Sequence, residues 1–202
     1  MNIGIIGSGT VGGRLGKGLA AKGHNVKFSS REPQGEKMRT LVAEAGPRSS
    51  AGTAEEVVAF GDLIIMAMRW DGLEATVKSA GNWSDKTVID VTNRFVSSGS
   101  GPSAAEDLAQ LIPGAKVVKA FNTIGVEHMV DPQFGGQKPS MFICGDDADA
   151  KTTVGKLVEE MGFDVVDTGP LNTASMLESL AKLWGAVARL EGRNIAFKLL
   201  RK

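Results

Sequence analysis

Short apolar runs alternate with segments of helical periodicity along most of the chain. The runs that predict buried strands cover residues 2–7, 25–30, 62–68, 87–93, 115–122, 139–145 and 163–169. Helical patterns between them cover residues 10–22, 35–45, 53–59, 70–79 and 148–161. Alternation of this kind is typical of a parallel sheet covered by helices. We therefore expect an α/β fold, a Rossmann-like, doubly wound and mostly parallel sheet.

Three segments depart from the alternation. Residues 96–107 are rich in glycine and serine and end in a helix start, and residues 125–138 have no clear period. The tail over 173–200 has a helical pattern and no strand pattern. We expect one doubly wound domain over 1–170 and a short helical C-terminal appendage over 171–202.

The appendage carries an apolar stripe at helical spacing. Two interpretations stay open, packing on the domain's own core and a twofold interface with a second copy, and we favour a mixture of the two. The stripe consists of Met176, Leu177, Leu180, Leu183, Trp184 and Val187.

Composition narrows the partners that the chain can have. The 23 basic residues balance the 23 acidic ones, which argues against nucleic acid and anionic membranes as partners. One cysteine and two distant histidines, His24 and His128, form no metal motif, so we expect no metal. No basic leader and no apolar run of ~20 residues is present, so we expect a cytoplasmic protein.

A glycine loop joins the first strand to the first helix. In "GSGTVG", Gly7, Gly9 and Gly12 have the G-x-G-x-x-G spacing between a strand and a helix that is typical of dinucleotide binding. The three glycines would serve the tight turn, the approach of the pyrophosphate and the packing of helix on strand. A glycine-rich turn that only packs is the alternative.

The end of the second strand, "KFSSRE", predicts which dinucleotide binds. NAD sites place a carboxylate here, whereas a 2′-phosphate favours arginine and hydroxyl groups. Ser29, Ser30 and Arg31 occupy this corner, and Glu32 lies beside Pro33, where the chain leaves the strand. We therefore expect NADP(H), with Glu32 as a ribose-binding acid the alternative.

Three further strand ends supply the rest of the predicted cleft. They lie at residues 67–71, 90–94 and 119–123, and amide, hydroxyl and guanidinium groups dominate them. Such groups suit a nicotinamide carboxamide. We expect Lys119 and His128, the two proton donors considered, to be structural, so we assign no catalytic residue. The side chains of the cleft are Arg69, Trp70, Thr92, Asn93, Arg94, Asn122 and Thr123.

Nearly the whole chain resembles the NADPH-dependent coenzyme F420 oxidoreductase family. The segments that carry this resemblance include "IGIIGSGTVGGRLGKGLAAKGHNVKFSSRE", "DLIIMAMRW", "VIDVTN" and "FICGDDADAKTTVGKLVEEMGFDVVDTGPL". The resemblance implies a homodimer that transfers hydride between NADP(H) and a deazaflavin. It would place NADP on Ser8, Gly9, Thr10 and Val11, with the 2′-phosphate on Ser30 and Arg31. The two rings would meet near residues 67–69 and 120–122, which include Ala67, Met68, Arg69, Ala120 and Asn122.

The acceptor is the open part of this prediction. Arg69 precedes Trp70 where the family tends to have proline, and "VTNRFVSSGSGPS" matches no known deazaflavin contact closely. Coenzyme F420 comes first as co-substrate. The alternatives are another small-molecule acceptor, namely a flavin, ferric chelate, quinone or imine, and a domain that senses the NADP redox state without turnover.

Overall fold

The strands of the protein form one sheet in a computed structural model that describes residues 1–94 and 102–202. Residues 96–101, the first half of the glycine- and serine-rich stretch, therefore lie outside the described residues. The eight strands of the described part are β1 (Asn2–Ile6), β2 (Asn25–Ser29), β3 (Ser49–Gly52), β4 (Leu63–Met66), β5 (Thr87–Asp90), β6 (Lys116–Lys119), β7 (Ser140–Gly145) and β8 (Asp164–Asp167).

Helices connect most of these strands. The α-helices of the described ranges are α1 (Thr10–Ala21), α2 (Glu36–Ala45), α3 (Ala54–Phe60), α4 (Leu73–Ser79), α5 (Ala104–Leu111), α6 (Ala148–Glu160) and α7 (Ala174–Glu191). Short 3-10 turns cover Val126–His128 and Leu171–Thr173, and the first of them lies in the segment expected to be irregular.

The sheet has the order β3-β2-β1-β4-β5-β6-β7-β8. Neighbouring strands are parallel except β6 and β7, which are antiparallel. The order reverses between β1 and β4, and the carboxyl ends of strands at such a point border the ligand cleft of doubly wound sheets. The fold class predicted from the periodicity is confirmed.

Apolar side chains on both faces of the central strands form the core. Ile3 and Ile5 of β1 pack with α1 on one face, and Ile64 and Met66 of β4 lie on the other. Cys144 of β7 is fully buried, and burial raises the pKa of its thiol.

The sequence analysis missed one strand, β3. Its residues "SSAG" are small and carry no apolar run, so the pattern gave no strand signal. Backbone hydrogen bonds to β2 hold this strand in place of apolar side chains, since β3 lies parallel to β2 with Phe28 beside Ala51. An edge strand of this kind is held by its ladder rather than by burial.

The prediction of a helix to residue 200 was wrong, because α7 ends at Glu191. Gly192 follows with a φ of +84°, a left-handed conformation that stops the helix. The segment after it bonds to the sheet instead. The Ser140 amide donates to the Phe197 carbonyl at 2.9 Å, and the Trp184 indole donates to the Ile195 carbonyl at 3.1 Å.

A capping box begins α3. The Thr53 hydroxyl accepts from the Glu56 amide at 3.2 Å, and the Glu56 carboxylate accepts from the Thr53 amide at 2.9 Å. We expect Thr53→Ala to lower the free energy of unfolding by about 1 kcal/mol, measured by urea denaturation. Thr53→Ser, which keeps the hydroxyl, is the control, and equal losses in both variants would contradict this role of the cap.

Candidate active site

The three glycines of the loop after β1 each meet a different steric demand. Gly7 has a φ of +100°, and a Cβ there would lie 2.6 Å from the Ala67 carbonyl oxygen. A Cβ on Gly12 would lie 1.9 Å from the Gly7 carbonyl oxygen, so this glycine permits α1 to pack on the turn. A Cβ on Gly9 would meet nothing within 4 Å. Gly9 therefore borders open space, which is the place a pyrophosphate would take.

Backbone amides at the start of α1 face the same space. Gly9 is the N-cap of the helix, no side chain caps it, and no acidic residue lies in the first turn. Unpaired N–H groups and the helix dipole favour an anion at such an end. The loop is therefore shaped and charged to accept a phosphate.

The corner after β2 is hydrogen-bonded to the glycine loop. The Ser29 hydroxyl accepts from the Gly7 amide at 3.0 Å, which joins the ends of the two neighbouring strands. The Ser30 hydroxyl accepts from the Glu32 amide at 3.0 Å and keeps its own proton for a further acceptor. Arg31 is exposed beside it. Two hydroxyl groups and a guanidinium thus lie where an NAD site has its carboxylate.

A cavity of about 780 Å³ opens at the point where the strand order reverses. The start of α1 and the ends of β4 and β5 form its wall. The lining residues are Gly9, Thr10, Val11, Ala67, Met68, Arg69, Trp70, Asp71, Val91, Thr92 and Asn93.

A pair of asparagines forms the wall of the cavity at β5 and β6. Asn122 donates its side-chain amide to Asn93 Oδ1 at 3.0 Å and to the Leu177 carbonyl at 3.1 Å, and Asn93 donates to the Asn122 carbonyl at 3.2 Å. Asn93 lines the cavity and Asn122, only 6% exposed, lies behind it. Asn122 Oδ1 is buried and has no hydrogen-bond partner in the described part of the chain. Asn93 is thus held in one orientation.

Lys119 is fully buried behind this wall. Its ammonium group lies 2.7 Å from Asp90 Oδ2 and 3.1 Å from Glu178 Oε1, and it donates to the Thr92 carbonyl at 2.8 Å. Burial alone would lower the pKa of Lys119, but the attraction of Asp90 and Glu178 outweighs it and the pKa is raised. Lys119 is thus salt-bridged, as a structural lysine would be, and its three N–H groups are occupied.

Cationic and aromatic groups occupy the outer rim of the cavity. Arg94 is paired with Asp107, and its guanidinium lies 5.5 Å from the centre of the Trp70 ring. The Arg69 side chain is 91% exposed and lies 3.6 Å from Asp71. Arg69 lines the cavity and is available to a ligand that enters from solvent, whereas Arg94 is held between Asp107 and Trp70.

Most residues predicted for the site come together at this edge of the sheet, and some do not line the cavity. Gly7 and Gly12 shape the loop from behind. Ala120 is fully buried, and Asn122 reaches the cavity only through Asn93. The predicted residues that line the cavity itself are Gly9, Thr10, Val11, Ala67, Met68, Arg69, Trp70, Thr92 and Asn93.

Sequence reasoning missed one contact of the site, the hydrogen bond between Ser29 and Gly7, and one residue, Glu178. Ser29 had been grouped with the phosphate corner, yet its bond to Gly7 was not foreseen, although parallel strands bring these two ends together. Glu178 was not singled out. The sequence does contain a feature that could have identified Glu178, because an acidic residue lies there among the apolar residues that α7 buries, between Leu177 and Ala181.

The described residues contain neither a cluster of metal ligands nor a membrane-spanning helix. Within 1–94 and 102–202, no three His, Cys, Asp or Glu side chains lie together as metal ligands do. Nor does any helix of these ranges have the length and apolar character to cross a membrane. His128 bonds to Asn194 at 3.1 Å and packs on Phe134, as a structural histidine would.

The fold and the glycine loop define a dinucleotide-binding Rossmann protein, and comparison with known proteins specifies the family. Residues 2–94 match the model of the coenzyme F420-dependent NADP oxidoreductases. A candidate F420-dependent NADP-reductase from Arthrobacter sp. FB24 is 30% identical over the full length of both chains, with a TM-score of 0.88. The chain belongs to this family of NADP-dependent oxidoreductases.

A second relative is a metalloreductase. The chain is 32% identical to rat metalloreductase STEAP3 over 182 residues, which are 88% of this chain and 36% of the relative. It therefore spans about a third of the length of that protein. The reductive aminase of Aspergillus terreus, whose structure contains NADPH, has a TM-score of 0.71 at 21% identity, and this likeness shows the fold alone. The alignment covers 95% of this chain and 63% of the aminase.

The different surroundings of Gly9 and Gly12 lead to a paired prediction. Gly9 has a φ of −76°, which alanine adopts freely, so Gly9→Ala should fold normally and weaken NADPH binding at least about tenfold. Gly12→Ala should lower the free energy of unfolding by about 2 kcal/mol, because its Cβ meets backbone. Calorimetric titration and thermal melting measure the two effects. Normal NADPH affinity in folded Gly9→Ala would contradict the assignment of the loop.

Proposed function

We propose that the protein is an NADPH-dependent reductase that transfers hydride to a flavin-like acceptor, with the deazaflavin coenzyme F420 as the first choice. The observation that carries this proposal is that the glycine loop lines the cavity at the strand reversal and is also hydrogen-bonded, through Ser29, to the corner that holds Ser30 and Arg31. Residues 1–170 would form the nucleotide-binding domain and residues 171–202 its C-terminal appendage.

The chain's own groups would hold the cofactor at its two ends. The amides at the start of α1 would bind the pyrophosphate, with Gly9 leaving room for it. Ser30 and Arg31 would bind the 2′-phosphate. Asn93, fixed by Asn122, presents one free N–H and one further acceptor site, which complement the carboxamide of nicotinamide. When bound, NADPH supplies a hydride from its nicotinamide ring, and the protein supplies proximity and orientation.

The acceptor would enter beside Met68, Arg69 and Trp70. An aromatic ring held by Arg94 suits a planar acceptor, and the exposed Arg69 suits one that carries negative charge. Among the described residues, the ionisable side chains that line the cavity are Arg69 and Asp71, and neither has a buried environment. An acceptor that takes hydride directly fits this lining better than one that needs a protein acid.

A metalloreductase is the second candidate function. It is favoured by the 32% identity to rat STEAP3. A ferric chelate would share the negative charge that Arg69 suits. It would need one-electron steps, however, and hence a flavin between NADPH and the metal. The flavin-like acceptor therefore remains common to both candidates.

We also propose that the protein forms a homodimer through α7. The helix buries Leu177 and Trp184 against its own chain, whereas Met176, Leu183 and Leu190 are 70%, 53% and 86% exposed. The stripe is thus divided between the core and the surface. Light scattering at micromolar concentration should give the mass of a dimer, and a monomer would contradict this part of the proposal.

Replacement of Arg31 tests the cofactor. We expect Arg31→Ala to lower kcat/KM for NADPH about 10- to 100-fold and to leave kcat/KM for NADH nearly unchanged, because one charge-assisted phosphate contact is lost. Arg48→Ala is the control, because it removes the same charge beside Asn25, at the amino-terminal ends of β2 and β3 and away from the corner after β2. A preference for NADH that Arg31→Ala does not alter would contradict the assignment.

An acceptor screen tests the second substrate. NADPH oxidation is followed by absorbance with F420, FMN, a ferric chelate alone, a ferric chelate with FMN, a quinone and a cyclic imine in turn. We expect turnover with F420 or FMN, and Arg69→Ala should raise the KM for the anionic acceptor more than it lowers kcat. Turnover with the imine alone would reject the flavin-like acceptor, and tight NADPH binding without any turnover would favour a redox sensor.

A further inference from the structure

The buried groups behind the cavity wall do not balance in charge. Lys119 carries one positive charge, and the carboxylates of Asp90 and Glu178 within 3.1 Å of it carry two negative charges. The side chains of all three are at least nine-tenths buried. A single negative charge therefore remains in a region from which water is excluded.

Neighbouring groups offset only part of this charge. Arg94 and Asp107 form an ion pair of their own, so together they add no net charge. The Ala104 amide at the start of α5 donates to Glu178 Oε1 at 2.8 Å, and the Arg94 amide lies 3.4 Å from Glu178 Oε2. The positive end of a helix is equivalent to about half a charge. The cluster stays negative after these contributions.

Thr92 connects the cluster to the cavity. Its amide and hydroxyl donate to Asp90 Oδ1 at 2.9 and 2.7 Å, and its carbonyl accepts from Lys119. Thr92 also lines the cavity, next to Asn93. The charged groups thus lie directly behind the wall. Because little water separates them from the cavity, their field is only weakly screened there.

We propose that this buried negative charge stabilises the oxidised, cationic nicotinamide relative to the reduced, neutral ring, and that it thereby promotes hydride transfer from NADPH. The proposal rests on the proposed function for the position of the ring. In that reaction the C4–H bond of NADPH breaks with both electrons, a C–H or N–H bond forms on the flavin-like acceptor, and the ring gains one positive charge. A fixed negative charge stabilises the developing cation without reorganisation.

Equilibrium binding of the two redox forms isolates this effect. NADP⁺ and NADPH differ in charge only at the nicotinamide, so a purely structural change should alter both affinities alike. Glu178→Gln is the variant of choice, since its Oε1 can still accept from Lys119 and Ala104 while only the long contact to Arg94 is lost. In this variant Lys119 pairs with the Asp90 carboxylate alone, so the net charge of the buried cluster becomes zero. We expect the ratio Kd(NADP⁺)/Kd(NADPH) to rise about three- to tenfold.

Two further variants complete the test. Glu160→Gln neutralises a carboxylate that bonds to His24, before the start of β2 and away from the cavity, and should leave the ratio unchanged. Asp90→Asn neutralises the other carboxylate of the cluster, keeps an Oδ1 that accepts from Thr92, and should raise the ratio in the same direction, which decides the matter if Glu178→Gln does not fold. An unchanged or lower ratio in folded variants that bind both forms would overturn the inference. Failure of the unmodified protein to bind NADPH would instead overturn the proposed function.

Discussion

The contact between Lys119 and its two carboxylates is the constraint on which this edge of the molecule depends. Asp90 ends β5, Lys119 ends β6, and Glu178 belongs to α7, so one buried cation fixes two strand ends and the C-terminal helix. Loss of one partner of a buried pair typically costs about 3–5 kcal/mol when a charge is left unpaired. That is a large part of the total stability of a domain, about 5–15 kcal/mol. Removal of Lys119, which would leave two buried carboxylates without their cation, should therefore destabilise the strand ends that form the cleft.

The same arrangement connects structure to chemistry. Asn93 and Thr92 follow β5 directly, and each is held by groups behind the cavity wall, Asn93 by Asn122 and Thr92 by Asp90. On α7, Leu177, the residue before Glu178, accepts a hydrogen bond from Asn122 through its carbonyl. The C-terminal helix thus contributes to the orientation of the wall without lining the cavity itself. At the other end of the cleft, Ser29 connects the phosphate corner to Gly7, so both ends of the candidate cofactor site are tied to the sheet.

Much of this could be predicted from the sequence, because the signals were local. The apolar runs of the central strands, the spacing of Gly7, Gly9 and Gly12, and the hydroxyl-rich corner each occupy a few consecutive residues. The parts that were missed depend on contacts distant in sequence. β3 has no apolar residue run and exists through pairing with β2, while the end of α7 depends on bonds from Ser140 and Trp184. The role of Glu178 depends on its ion pair with Lys119, which lies 59 positions earlier in the sequence.

The central claim is that an NADP dinucleotide spans the surface from the Ser30–Arg31 corner to the wall at Thr92 and Asn93. A crystal structure of the protein with NADP⁺ tests it most directly. We expect the 2′-phosphate in contact with Ser30 and Arg31, the pyrophosphate at the amides that begin α1, and the nicotinamide carboxamide bonded to Asn93. A 2′-phosphate directed away from Arg31, or a nicotinamide ring bound away from Thr92 and Asn93, would contradict it.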